Sequence, residues 1–439
     1  MSSTAVARTA VTAAMATKKP AVKLVGSDMS PYVHKLRQYF KYRNIAFEDV
    51  LATPKIYETL ILPKTHLTMI PVVVEDGSDR VLQDTGLIID HFEAKLASSQ
   101  AGLVPLDPPG PKQKLVANLL EFVSEEWMFL VGFAERFGHF ENGHELHLLR
   151  EMAASRSVKT TGLAVHDQAV RQRLDAVFLK ARRPWGVTEE TMPMFDRFLE
   201  WYLVKLATHF DNHTYLFSDE IPCRADFSLA GMLAGFIDRD PKPSFMLRTK
   251  APTLLHYIDR MNQQGRAGYK QPEAVVAMDG TAPGPVRITR APARTGSGSF
   301  FANDEVPDTL YPLLEPLFTL VPHIEQGYAL AAKLQGTPGP LPRRLGFAKF
   351  TIHGEPAGSR MAQSYALFAF WRIWRNGAQF DRSVLAKIAE RADPTQRVDG
   401  DAFVRRVAEL KEKVQVRRTA KNEIELMSPT ANGTAQAKL

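Results

Sequence analysis

Cysteine is nearly missing from this chain: Cys223 stands alone among 439 residues. One thiol excludes an intrachain disulfide and points to a reducing compartment, read here as the cytoplasm. Long apolar runs are missing too. No stretch of 18 or more apolar residues occurs, so no membrane span is expected. A strong excess of one charge is absent. The formal charge of +7 is modest at this length, and the basic residues cluster too weakly for a nucleic-acid surface. No acid precedes Asp28. Residues 1–20, rich in Ala, Thr and Ser with scattered Arg8, Lys18 and Lys19, read as a disordered tail in preference to a transit segment.

The chain is too long for one compact core, so two domains and an extension are expected. The proposed divisions are a tail at 1–20, a first domain at 21–97, a helical domain at 112–265, a linker at 266–299, a mostly helical extension at 300–425 and a tail at 426–439. The linker contains Gly280 to Ser299, with four glycines, three prolines and no acid.

In the first domain, Val22-Lys23-Leu24-Val25-Gly26 reads as a strand and Ser30-Pro31 opens a helix with Val33, Leu36 and Phe40 on one face. Serine can cap the free amides, and proline suits the first helical position because its missing N–H has no partner to lose. A hydroxyl therefore sits at the positive end of a helix, a place that suits an anion such as a thiolate. The bland alternative is that Ser30 only caps the helix. Strands follow at Ile45 to Val50, Pro71 to Glu75 and Arg80 to Gln83, and a helix starts at Asp84. The order is β-α-β-α-β-β-α.

That order, with Ser30-Pro31-Tyr32, Met69-Ile70-Pro71-Val72-Val73 and Leu82-Gln83-Asp84-Thr85-Gly86, resembles the thioredoxin-like domain of glutathione transferases, followed there by an all-α domain. The resemblance implies a cis bond before Pro71, with the Ile70 backbone pairing to the cysteinyl part of glutathione. It implies that Thr85 and its amide hold the γ-glutamyl carboxylate, and that Asp84 meets the ammonium. The plainer reading of Asp84 is an N-cap. Ser30 would stabilise the thiolate. Tyr32 is a rival donor whose ring is expected to face the neighbouring helix. Thr68 stands where the family often has a basic residue for the glycyl carboxylate; Lys64 or His66 could substitute. Serine in place of cysteine favours conjugation, elimination or isomerisation over mixed-disulfide chemistry.

In the helical domain Leu115, Leu119, Phe122, Val123, Trp127 and Phe133 recur at helical spacing. The resemblance makes Trp127 and Phe133 candidate walls for a small hydrophobic electrophile, although such aromatics are more often core. His139, His144 and His147 read as a solvated turn, as do His209 and His213, and no metal is expected. Cys223, ahead of Asp226, stands where the family has a helix-capping hydroxyl, and reads as structural.

The extension carries Pro342-Arg343-Arg344, Phe350-Thr351-Ile352 and Gly358-Ser359-Arg360, and is similar to the tail of an extended bacterial subgroup of the same family. Helical spacing is read over Phe300 to Leu334, a strand over Phe347 to His353, a turn over Gly354 to Gly358, an aromatic-dense helix over Arg360 to Arg375, and a solvated charged helix over Ala402 to Leu426. The resemblance implies a dimeric transferase of detoxification type using glutathione. Two rivals stay open: a glutathione-dependent lyase, dehalogenase or isomerase, and a non-catalytic scaffold of the same fold.

Overall fold

The computed structural model describes residues 22–99, 102–139, 144–154, 174–263, 274–276, 288–290, 298–334, 339–393, 398–419 and 421–427. The expected tail at 1–20, most of the 266–299 linker and all but two residues of the expected tail at 426–439 lie outside them.

The first domain is built on a four-stranded sheet in the order β2-β1-β3-β4. Strand β1 (Val22–Gly26) pairs parallel with β2 (Phe47–Leu51), antiparallel with β3 (Val72–Glu75), which pairs antiparallel with β4 (Val81–Gln83). The parallel β1–β2 pair needs a crossover, supplied by α1 (Pro31–Tyr42). Ser30 has extended backbone angles and Pro31 takes the first helical position, as the dipeptide implies. Helix α1 buries Val33, Leu36, Tyr39 and Phe40, and also the charged Lys35. Helical turns between Pro54 and Thr65 lead to β3, and α2 (Thr85–Ser99) follows β4.

The helical domain opens with α3 (Pro111–Val123), which runs through one wide turn (Ser124–Met128) into a further helix (Phe129–Gly138). Such wide turns insert an extra residue and change which side chains face a neighbour. Helix α4 (Met192–Phe210) and α5 (Arg224–Met232) complete the centre of this domain. Asp226 fixes the start of α5. Its carboxylate accepts from the backbone N–H of Cys223 at 2.8 Å and of Leu216 at 3.1 Å. Cys223 is fully buried, and burial pushes its thiol pKa well up, which fits the structural role expected.

The extension departs from its expected layout in four places, one of them the turn expected over Gly354 to Gly358, where Glu355 to Gly358 are strand. Helix formation over Phe300 to Leu334 is limited to α6 (Leu317–Ala332), because Pro307, Pro312 and Pro316 break the earlier stretch into short turns. Arg360 is not helical. It lies in β6 (Glu355–Gln363), paired with β5 (Arg344–Ile352) so that Ala348 faces Arg360, and the helix α7 begins only at Ser364 (Ser364–Arg375). The charged helix α9 (Gly400–Lys413), which follows α8 (Arg382–Arg391), ends well before Leu426. The chain then forms a hairpin of β7 (Val416–Arg418) and β8 (Ile424–Leu426).

One apolar core runs through all three parts. It includes Leu36 and Phe92 from the first domain, Phe122 and Phe227 from the helical domain, and Phe370 and Val416 from the extension. Phe122 and Phe370 meet edge to face at 6.0 Å, tying α3 to α7. Among the described residues no helix is long and apolar enough to cross a membrane.

Candidate functional site

Ser30 is half-buried at the start of α1. Its carbonyl accepts from the N–H groups of Val33 and His34, closing the first turn, but its side chain makes no capping hydrogen bond. Among the described residues the hydroxyl has no hydrogen-bond partner, and it sits at the positive end of the helix. Tyr32 is committed. Its hydroxyl donates to the Glu125 carbonyl at 3.1 Å, and its ring packs on Phe129 at 5.7 Å. Burial, with the charges of Glu125 and Glu126, pushes its phenol pKa well up.

The Ile70–Pro71 bond is cis. Ile70 is half-buried, and the preceding loop is held by Gln83, whose amide donates to the Met69 carbonyl at 2.8 Å. His66 sits exposed in the left-handed region (φ 58), and Lys64 is exposed beside it.

Asp84 caps α2 while its own backbone is left-handed (φ 87). Its Oδ1 accepts from the N–H of Gly86 at 3.0 Å, the N–H of Leu87 at 3.2 Å and Arg372 Nη1 at 3.3 Å. Its Oδ2 accepts from the Tyr365 hydroxyl at 2.7 Å and Arg418 Nη1 at 2.6 Å. Three of these five donors come from the extension. The side chain of Asp84 is 2% exposed. Thr85 is buried, and the Arg372 guanidinium lies so close to Gly86 that a Cβ there would collide with it. Asn422, in the hairpin, donates to the Thr65 carbonyl at 3.0 Å and to Gln83 Oε1 at 3.1 Å.

A buried ionic chain continues inward from Asp84. Arg372 reaches Glu121 at 3.4 Å, and Lys35 reaches Glu121 at 2.9 Å and Glu125 at 2.6 Å. Burial opposes ionisation of Asp84, but Arg372 and Arg418 overcome it and hold its pKa below the usual carboxylate value. Burial likewise opposes charge on Glu121, and Lys35 with Arg372 pulls it down to about 2. Asp84, Glu121 and Glu125 are matched in number by Lys35, Arg372 and Arg418, so the set is neutral. This matters because an unmatched buried charge costs several kcal/mol (roughly 3–5 when one partner is removed).

A family model described as "Glutathione S-transferase, N-terminal domain" matches residues 24–100. This stretch of the chain is therefore similar to the N-terminal domain of glutathione S-transferases. No curated protein matches the chain. Among solved structures, the β-etherase LigF from Sphingobium sp. strain SYK-6 is 16% identical, covering 55% of this chain and 95% of that one, with a TM-score of 0.39. Glutaredoxin 2 from Salmonella typhimurium in complex with glutathione is 18% identical over 56% and 95% of the two chains, with a TM-score of 0.35. A Tau class glutathione S-transferase from mango, Mangifera indica, is 19% identical over 55% and 89%, with a TM-score of 0.31. Likenesses of this size do not bear on activity.

Ser30 lies at the start of α1, Ile70 and Pro71 lead into β3, and Asp84 and Thr85 stand at the start of α2. Asp84 serves as the N-cap of α2, the plainer of the two roles expected of it. Its carboxylate holds arginines of the same chain where a ligand ammonium was anticipated, and Arg418 is buried in a hairpin instead of solvated on a helix. Trp127 is fully buried against Phe195 and Phe198, and Phe133 is buried among Phe129, Phe137 and Trp185. Both are core rings.

The histidines are not a solvated turn. His139 and His144 are buried, as is His209, whose Nδ1 lies 2.8 Å from the Thr309 hydroxyl; His213 is half-buried. Among the described residues Glu135, His139 and Asp196 bring possible metal-ligating atoms within 4.8 Å of one another. Lys242 already places its ammonium 2.7 Å from Asp196 Oδ2 and 2.9 Å from His139 Nε2, supplying the charge that a cation would bring. Burial opposes protonation of His139, but Asp196 and Glu135 raise its pKa to about 9.

Sequence reasoning missed Lys35, Glu121, Glu125, Tyr365, Arg372 and Arg418. A usable signal existed for two of them: Lys35 lies directly beside the apolar Leu36, and Arg372 interrupts an aromatic-dense helix. A charge set into an apolar face implies a buried partner. No local signal marked Arg418.

Proposed function

We propose that the chain is a glutathione-dependent transferase whose tripeptide site is gated by its own C-terminal hairpin. One observation carries the reading: Ser30 keeps a free hydroxyl at a helix start while the Asp84 corner is held by residues of the extension. The thiolate of glutathione would accept a hydrogen bond from Ser30. A free thiol has a pKa of about 8.5, and lowering it by about two units requires about 2.7 kcal/mol of preferential anion stabilisation. A hydrogen bond to a charged partner contributes roughly 1.5–3 kcal/mol and the helix terminus up to about 1. No general base is needed. The sulfur then forms a bond to an electrophilic carbon as the leaving group departs with its electron pair.

For the γ-glutamyl group to dock, its ammonium takes the place of the Arg418 guanidinium on Asp84. One cation replaces another, so the buried charges stay balanced. The hairpin moves as a unit because Asn422 also lets go of Thr65 and Gln83. Thr85 and its amide receive the ligand carboxylate, Ile70 the cysteinyl backbone, and His66 or Lys64 the glycyl carboxylate. With Trp127 and Phe133 closed into the core, a small apolar acceptor packs on Phe129 and Trp185, the half-buried rings that continue from Tyr32. A homodimer in the cytoplasm belongs to this reading and is checked by sedimentation.

A second reading, a scaffold of the same fold, is favoured by the saturation of Asp84. Immobilised glutathione and an aryl-halide conjugation assay separate the two, using wild type, Ser30→Ala and Arg418→Ala. Retention that strengthens in Arg418→Ala, with activity lost in Ser30→Ala, supports the gated enzyme. No retention and no activity in any of the three leaves the scaffold.

A further inference from the structure

Arg360 is 3% exposed, yet its Nε is buried without a hydrogen-bond partner, and among the described residues no carboxylate lies within ion-pair distance of its guanidinium. It is unlike the other buried cations here. Lys35, Arg136, Arg224, Arg372 and Arg418 each hold an acid within 3.4 Å. A buried guanidinium without a counter-ion is costly, and folds rarely keep one unless something else neutralises it.

The surroundings describe what that partner is. Arg360 lies between the helical domain and the extension, with its guanidinium carbon 6.0 Å from the Trp127 ring centre and 5.9 Å from that of Phe350. The Trp127 Nε1 and His323 Nδ1 are also buried without partners. Gly186, in the left-handed region (φ 77), lets Phe350 and Arg360 approach where a Cβ would meet both. It follows Trp185, whose ring touches Phe129, which in turn touches Tyr32. A line of contacts therefore joins Arg360 to the start of α1. The acid whose charge acts on Arg360 is Glu126, half-buried and beyond 4 Å. Burial, unrelieved by a close partner, lowers the Arg360 pKa to about 10 and raises that of Glu126 to about 7. A dianion would meet Glu126, whereas a monoanion is matched by the single guanidinium. The flanking rings of Trp127 and Phe350 favour a flat apolar body over a sugar or a phosphate ester.

We propose that Arg360 is the anchor of a second binding site, taking the carboxylate of a small aromatic acid between the helical domain and the extension. The site stands whether or not glutathione binds; if the gated-transferase reading holds, the aromatic acid is the acceptor or an inhibitor lying beside it. Both roles use the same carboxylate–guanidinium contact.

The test uses the full chain with benzoate as probe and benzamide as its neutral counterpart, read by calorimetry and by thermal shift. Benzoate binds and raises Tm, and benzamide binds at least about tenfold more weakly, as expected for loss of a charge-assisted bond. Arg360→Gln loses benzoate binding by a similar factor, Arg360→Lys retains part, and Glu126→Gln tightens binding severalfold by removing the competing charge. Arg360→Met, which removes an uncompensated buried charge, keeps or raises Tm but no longer responds to benzoate. Equal binding of benzoate and benzamide, no saturation at millimolar benzoate, or an unchanged response in Arg360→Gln overturns the proposal.

Discussion

Arg418 donates to Asp84 at 2.6 Å across 334 positions of sequence, and so a residue near the end of the described chain closes the corner at which the first domain would hold a ligand ammonium. The contact is buried on both sides, 7% and 2% exposed. Exposed ion pairs contribute little, but buried ones act as latches because neither charge tolerates being left alone. The proposed gate rests on this pair.

Arg418→Ala should therefore tighten glutathione binding. Arg372 and Tyr365 still satisfy Asp84, while the ligand ammonium no longer competes with a tethered guanidinium. A gain of about tenfold, or about 1.4 kcal/mol, is expected by calorimetry. Unchanged affinity would show that the hairpin does not gate the site.

Ser30→Ala should leave glutathione binding nearly intact and slow conjugation by about 10- to 100-fold, the loss of one charge-assisted hydrogen bond to the thiolate. The inflection of the pH–rate profile should rise by about one to two pH units toward that of a free thiol. A slower rate with an unmoved profile would mean that the hydroxyl only shapes the site.

Asp84→Asn should destabilise the fold by about 3–5 kcal/mol, since it strands Arg372 and Arg418. Acid should act in the same direction. The folded-state pKa of Asp84 lies below the ordinary 3.8, so its contribution is present above that value and is lost as pH falls through the lower one. Urea titrations at pH 7 and below pH 4 measure both effects, and the acid-dependent part should be absent in Asp84→Asn.

Glu126 has the opposite sign. Burial raises its pKa from 4.5 to about 7, so the folded state holds the proton more tightly than the unfolded chain. The resulting stability is complete below about pH 4.5 and is lost as pH rises through about 7. Glu126→Gln should remove that slope, giving a variant more stable than wild type at pH 8 by up to about 3 kcal/mol relative to their difference at pH 5. Parallel stability curves for the two proteins would show that Glu126 is not desolvated.

Much of the first domain was written locally. Ser30-Pro31 sets a helix start whatever lies around it, β-branched Val72, Val73 and Val74 favour a strand, and Asp84 caps the helix that follows. These signals span a few residues each, and a chain read in order yields them in order. The same local reading misplaced Arg360 and Arg418. Arg360 adjoins an aromatic-dense helix in sequence but is drawn into a hairpin by pairing with Ala348. Arg418 follows a charged amphipathic helix and lacks any nearby sign that the helix stops.

The sequence by itself determined where helices and strands begin in the first domain, and placed a hydroxyl at a helix start beside a proline-led strand, because capping and propensity act over one or two turns. Only the tertiary structure decided what faces those groups. Charged partners for Asp84, Lys35 and Glu121 come from 86 to 334 positions away. Charge pairing at that range is fixed by how the extension packs on the two domains, a property of the whole core that no local pattern encodes.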